Sequence, residues 1–274
     1  MERNTKVSLL LLLLAGICKA HNGNDHDGEN EHPVSDSNTQ EDISTTILRM
    51  NNASMDNLFE GDILIPKTRN ALKCFSKQYS CFWKKFPNGY VEVPFTLSDR
   101  YAEDEKNAIR IAMRGIEART CIRFVDHKRE RAFLSIQPKP GCFSLVGRVG
   151  EQQLVSLQRF GCIANGIIQH ELLHSLGFYH EHTRSDRDNY VRINWNNIME
   201  SAGVNFRKMN TDNLNTPYDY SSVMHYGRTA FGIRRAETIT PIPNPNVPIG
   251  QRVGMSEMDF FRVNTLYKCS RYLG

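Results

Sequence analysis

The sequence predicts an α+β domain of about 205 residues, spanning 70–274, behind two leading segments of different character. Three observations carry this: short strand-like runs up to residue 157, two helical stretches with apolar faces, and a second half rich in Asn, Pro, Asp and Gly without sustained periodicity. Tyr90-Val91-Glu92-Val93-Pro94-Phe95 alternates as a strand, with Pro94 near its end because proline gives no N–H to a ladder. Residues 98–119 read as a helix. Glu103, Asp104 and Glu105 lie in its early turns, and Ile109, Ala112, Met113 and Ile116 form an apolar stripe. Short strands are expected at 122–125, 133–136, 143–147 and 154–157. Residues 167–178 form a second helix that buries Ile168, Leu172, Leu173 and Leu176, and one late helix is expected around 256–267. This length suffices for one domain with a sizeable core.

Residues 1–20 read as a signal peptide: Arg3 and Lys6, an apolar run from Val7 to Ile17, then Cys18-Lys19-Ala20 with a small residue at the cleavage point. That run is too short to span a bilayer, and no other approaches spanning length. The expected product is soluble, secreted and extracellular, with secretory granules as a storage stage. Residues 21–69 form an acidic segment with ten Asp and Glu against three Lys and Arg. Its first part has almost no large apolar residue and reads as a disordered, solvated tail. Asn52-Ala53-Ser54 is a glycosylation acceptor pattern at Asn52. Leu58-Phe59-Glu60-Gly61-Asp62-Ile63 then turns apolar, and its Gly-Asp pair by itself suggests a turn. Lys67-Thr68-Arg69 offers a cut for a trypsin-like activating protease, leaving a chain that starts at Asn70.

Residues 70–274 hold 28 Lys and Arg against 19 Asp and Glu, an excess that the overall net charge of +4 conceals. These basic residues are scattered and accompany no nucleic-acid motif, so no nucleic-acid partner is expected. With five residues after Cys269, no membrane anchor is expected either, and the expected state is a monomer. Loss of the leader removes Cys18 and leaves Cys74, Cys81, Cys121, Cys142, Cys162 and Cys269. An even count in an exported chain suggests three disulfides, for which six cysteines allow about fifteen pairings. The short spacing of Cys74 and Cys81 favours a local loop between them.

The run His170-Glu171-Leu172-Leu173-His174-Ser175-Leu176-Gly177-Phe178-Tyr179-His180-Glu181 carries the chemistry. On a helix, His170 and His174 share a face at about 5–6 Å, within reach of one Zn2+. Glu171 follows directly and points to a neighbouring position, where it can meet a water instead of the metal. Gly177 tolerates positive φ, which lets the helix stop and the chain return His180 as a third ligand. Three neutral imidazoles leave zinc an open position, the arrangement of a catalytic site.

The extended string resembles the metzincin metalloproteases, and its Gly177–Glu181 continuation resembles the astacin family. The segment Pro217-Tyr218-Asp219-Tyr220-Ser221-Ser222-Val223-Met224-His225-Tyr226 looks like the astacin Met-turn. By that resemblance Met224 is an apolar floor under the ligands, and Tyr226 is a switchable fifth ligand that also stabilises the oxyanion. Phe-x-Gly-Asp at residues 59–62 resembles the family's pro-segment motif, which makes Asp62 the ligand that holds the zymogen latent. The family fold implied is a metzincin-type catalytic domain: an upper subdomain of twisted, mainly parallel sheet with two helices, a lower irregular subdomain, and the zinc cleft between them. The segment around Cys142–Gly150 would form the upper rim, where a substrate strand adds. The resemblance also pairs Cys121 with Cys269 and Cys142 with Cys162. Glu181 resembles the residue that contacts the newly released N-terminus. The extra segment from Asn70 to Cys81, however, departs from the simplest members and argues against burial of that terminus.

That cysteine pair ahead of Phe82-Trp83, together with the runs 184–188, 190–195 and 237–241, resembles the six-cysteine choriolytic and nephrosin-like branch of fish hatching enzymes. The resemblance implies a zinc endopeptidase made as a zymogen, with Glu171 as general base and egg-envelope glycoproteins as protein substrates. The alternatives are a general extracellular protease of the nephrosin kind and a secreted zinc-binding module without catalysis.

Overall fold

The computed structural model describes residues 41–52, 58–65 and 81–273. The heart of the fold is parallel pairing. Strand β3 (Val91–Leu97) pairs with β4 (Ile122–Asp126) on one side and β5 (Phe133–Gln137) on the other, and β5 pairs with β7 (Gln152–Leu157), all parallel. Strand β6 (Cys142–Ser144) then runs antiparallel to β7. Two more strands, β1 (Leu58–Phe59) and β2 (Ile63–Leu64), form a hairpin whose second arm lies parallel to β6, giving the order β1-β2-β6-β7-β5-β3-β4.

Pro94 sits inside β3 and not near its end, yet it costs the sheet little. The Val91 N–H donates to Cys121 and the Phe95 carbonyl accepts from His127, so odd-numbered residues face β4. Pro94 therefore faces β5, where pairing begins only at Phe95 opposite Leu134. The missing N–H falls just before the ladder starts.

Helix α2 (Glu103–Glu117) is shorter than its periodicity suggested. Tyr101 ends a turn from Ser98 and is fixed to β7 by its hydroxyl, which donates to Leu157 O at 2.8 Å. The Glu105 carboxylate then caps the Ala102 N–H at 2.8 Å, so the helix begins only after this anchor. Its stripe of Ile109, Ala112, Met113 and Ile116 packs with Ile168, Leu172 and Leu173 of α3 (Asn165–Ser175) and with Val93, Leu134, Ile136, Val155 and Leu157 of the sheet. Strand β6 ends at Ser144, three residues earlier than expected, and Gly147 N instead donates to His174 O.

After α3 the chain is mostly irregular, with short 3-10 turns. A two-stranded sheet of β8 (Val191–Ile193) and β9 (Ile239–Pro241) and a closing helix α4 (Glu257–Leu266) complete it. A second core lies here, built on Val191, Phe206, Tyr226, Phe231 and Ile239. The acidic segment supplies an additional helix, α1 (Ile43–Asn51), capped by Asp42, whose Oδ1 accepts from the Thr45 N–H at 2.9 Å. Its Ile43 and Ile47 are buried in the first core. Among the described residues no helix is long and apolar enough to cross a membrane.

Disulfides join Cys121 to Cys269 and Cys142 to Cys162. The expected Cys74–Cys81 bond, the cut between Arg69 and Asn70, the signal segment and the acidic tail up to residue 40 involve positions outside the described residues.

Candidate active site

The site forms where the two cores meet. Helix α3 brings His170 and His174 to one face, both buried. Gly177 takes φ +107°, its N–H closes onto His174 O, and the chain leaves the helix toward His180. A side chain there would also press on the Phe82 ring, 3.2 Å from the position of a Cβ.

Each imidazole is held through its outer nitrogen. His170 Nδ1 lies 2.8 Å from Val223 O, His174 Nδ1 lies 2.8 Å from Phe178 O, and His180 Nδ1 lies 2.6 Å from Glu60 Oε2. A carbonyl can only accept, so the first two rings carry their proton on Nδ1. The Nε2 lone pairs consequently converge, with His180 Nε2 at 3.3 Å from His170 Nε2. Asp62 joins them: its Oδ2 lies 3.0 Å from His170 Nε2 and 3.2 Å from His180 Nε2, and its Oδ1 lies 3.4 Å from His174 Nε2. All four ligand atoms fall within 4.8 Å of one another.

Lone pairs and a carboxylate repel at such distances unless a cation lies among them. His174 Nε2 and Asp62 Oδ1 are buried without a hydrogen-bond partner. Three imidazole nitrogens and a carboxylate oxygen are a donor set that suits zinc. Both oxygens of Glu171 are also buried and unpartnered. Burial, with a further contribution from the Asp62 charge, pushes the Glu171 carboxyl well up. Burial would push Asp62 up too, but the facing His180 and His174 outweigh it and hold that carboxyl well below the usual range.

Met224 is buried in the first core, and its carbonyl accepts the Glu181 N–H at 3.0 Å. Tyr226 stacks on His182 with ring centroids 3.9 Å apart, and its hydroxyl donates to the Glu60 carbonyl. Glu181 is buried and paired with Arg262, at 2.6 Å from Nη1 to Oε2 and 2.9 Å from Nη2 to Oε1. Asn52, the glycosylation candidate, is exposed at the end of α1.

Residues 78–268 match the family model described as Astacin, a peptidase family. The chain belongs to the astacin family. It is a zinc metalloendopeptidase with protein substrates. The low choriolytic enzyme of Oryzias latipes is 56% identical over 271 residues, which are 98% of this chain and 100% of that protein. High choriolytic enzyme 1 of the same fish is 54% identical, over 95% of this chain and 97% of its own length. The solved structure of high choriolytic enzyme 1, described as a hatching enzyme zinc-protease, shares 57% identity at a TM-score of 0.68 and covers 73% of this chain and 100% of that one. The astacin domain has the expected α+β architecture, with a mixed, mainly parallel sheet and helices followed by a largely irregular half.

Sequence reasoning did not single out several residues that shape this astacin site. Glu60 fills the variable position of the motif that ends in Asp62, so the motif itself gives it no role. Arg262 and Asp259 both lie on α4. Asp259 caps that helix at Ser256 and also accepts the Val223 N–H at 2.9 Å, which braces the Met-turn. The capping pattern Ser256-x-x-Asp259 could have been read; the link to Val223 could not, because it crosses 36 residues.

Proposed function

We propose that this chain is made as a secreted zymogen and, once cut after Arg69, digests egg-envelope glycoproteins. The reading is carried by one observation: the three Nε2 atoms that define an open catalytic zinc site are closed over by Asp62, from a segment ahead of the cut. The choriolytic names of the relatives that match nearly the whole chain support the substrate class.

His170, His174 and His180, joined by Asp62 in the uncut chain, would hold the metal. Bound zinc supplies Lewis acidity, lowering the pKa of water and polarising the scissile carbonyl. Removal of the segment would take Asp62 out of the cluster and open the site to water and substrate. Glu171, unpartnered and desolvated, accepts the proton of the attacking water and returns it to the leaving amine. Tyr226 loses its acceptor on Glu60 and donates its hydroxyl to the oxygen that gains charge in the tetrahedral intermediate. Met224 packs beneath the ligands and fixes their spacing. Strand β6, covered by β2 in the uncut chain, receives the substrate backbone.

The test is to secrete the chain, cut it with trypsin, and measure chelator-sensitive hydrolysis beside Glu171→Gln. Activity that appears only after the cut and disappears in the variant is expected. Bound zinc without hydrolysis in a folded, cut sample would leave a binding module. Hydrolysis of casein with no preference for egg-envelope protein would instead favour general extracellular proteolysis.

A further inference from the structure

Glu60 occupies an unusual position for a glutamate. It is fully buried, its backbone takes φ +49°, and three groups of the catalytic domain hold it. Its N–H donates to Asn205 Oδ1 at 2.9 Å, its carbonyl accepts from Tyr226, and its Oε2 accepts from His180 Nδ1 at 2.6 Å. Its other oxygen, Oε1, is buried with no partner. A non-glycine residue at positive φ is strained, and a buried carboxylate with one partner is costly. Something must offset both.

The other two imidazoles lean on backbone carbonyls, whereas His180 alone leans on a carboxyl side chain. A carboxylate behind an imidazole raises the basicity of the metal-facing nitrogen and fixes its tautomer and orientation. A dication on Nε2 in turn polarises the Nδ1–H that Glu60 accepts, so each charge stabilises the other. Coupling of this kind is reciprocal: what zinc gives to Glu60, Glu60 gives to zinc.

We propose that Glu60 is a zinc-retention residue of the uncut chain, tightening the metal through His180 and releasing that hold when the segment leaves. This rests on the reading of residues 21–69 as a removable pro-segment. The uncut chain then binds zinc through two devices, Asp62 on the metal and Glu60 behind a ligand. The cut enzyme keeps neither, so zinc loaded before activation is held more tightly than afterwards. The bond from Tyr226 to Glu60 adds a second consequence, since the residue that secures zinc also keeps that phenol engaged.

The experiment is competition for zinc between a graded chelator and the uncut chain, reading protein-bound zinc by atomic absorption. Glu60→Gln keeps the shape and an acceptor but removes the charge. It is expected to loosen zinc about tenfold or more, the range for outer-shell partners. After cutting at Arg69 and removal of the segment, wild type and variant are the same molecule and must agree, both looser than the uncut wild type. Equal zinc retention in the uncut wild type and uncut Glu60→Gln would overturn the proposal. Asp62→Asn separates the layers: loosening there with none in Glu60→Gln leaves latency standing and removes only this inference. No loosening in either would remove the pro-segment reading as well. If Glu60→Gln does not accumulate folded, Glu60→Asp, which withdraws the carboxylate by one methylene, must loosen zinc in the same direction; unchanged retention there is equally fatal.

Discussion

The side-chain amide of Asn51 is bonded in both directions to the backbone of Cys142. Its Nδ2 donates to Cys142 O at 2.6 Å, and its Oδ1 accepts from Cys142 N at 2.7 Å, with a further bond from Nδ2 to Gly61 O at 2.8 Å. An amide that donates and accepts in this way does what a paired residue of an adjoining strand does. One residue pair further along, Ser144 N donates to Asp62 O at 3.0 Å. The outer edge of β6 is thus satisfied at Cys142 by a side chain and at Ser144 by a backbone, both from the leading segment.

If the leading segment keeps the chain latent, as proposed, Asn51→Ala is expected to weaken that latency. It leaves two buried carbonyls and an N–H without partners, a loss of about 2–3 kcal/mol by the cost of unmade buried hydrogen bonds. Hydrolysis of a short fluorogenic peptide by the uncut variant should exceed that of the uncut wild type. After cutting, the two should be indistinguishable. Equal rates before the cut would show that Asn51 does not secure the segment.

Legibility in the sequence followed the range of the interactions. His170, Glu171, His174, Gly177 and His180 lie within one helix and its exit turn, so their spacing alone implied the site. The core stripe of α2 was readable for the same reason. Helix α1 was not, because Ile43 and Ile47 sit among Ser, Thr and Asn, whose side chains compete for backbone bonds and obscure a helical pattern. Its order comes from packing on distant residues: Ser44 Oγ accepts from Gly227 N at 2.8 Å, across 183 positions. The place of β2 beside β6 was equally invisible, since nothing local to residues 63–64 specifies Ser144 as a partner.

Arg184 and Asp186 give a pH prediction. Nε and Nη2 of Arg184 each lie 2.9 Å from a different oxygen of Asp186, and this bidentate hydrogen bond holds the carboxyl below its usual value despite partial burial. A lowered folded value means that the pair stabilises the fold above about pH 4, the unfolded range, and that this stability is lost as pH falls through the folded value. The pair is partly exposed, so the contribution is under about 1 kcal/mol. Urea midpoints of Asp186→Asn should fall slightly below wild type at pH 7 and converge with it in acid. A gap that widens toward low pH would contradict the assignment.

The end of α3 is closed by two side chains from elsewhere in the chain. Trp83 Nε1 donates to Ser175 O at 2.9 Å, and the Tyr267 hydroxyl donates to Leu176 O at 3.0 Å. The last carbonyls of a helix have no partner within it, and here they are buried beside the turn that delivers His180. Tyr267→Phe removes one donor without changing the ring. It should cost about 1–2 kcal/mol, read as a lower midpoint of urea unfolding. An unchanged midpoint would mean that water replaces the hydroxyl.

The Glu181 carboxylate is already occupied. Besides the two bonds from Arg262, Oε1 accepts the Asp219 N–H at 2.7 Å and lies 3.5 Å from Arg184 Nη1. Arg262 is anchored in turn by Thr216 Oγ1 at 2.9 Å and Pro217 O at 2.7 Å. A cation built into α4 thus stands where a released α-ammonium group would be needed. Arg262→Met should leave Glu181 with only the Asp219 N–H and the longer contact to Arg184, and cost about 3 kcal/mol, with much of the loss recovered in the double variant Arg262→Met, Glu181→Gln. Activity should also tolerate a changed N-terminus: a cut enzyme carrying one additional residue before Asn70 should keep its kcat/KM. A large loss on that extension would mean that the new terminus competes for Glu181, and that the pairing with Arg262 belongs to the uncut chain alone.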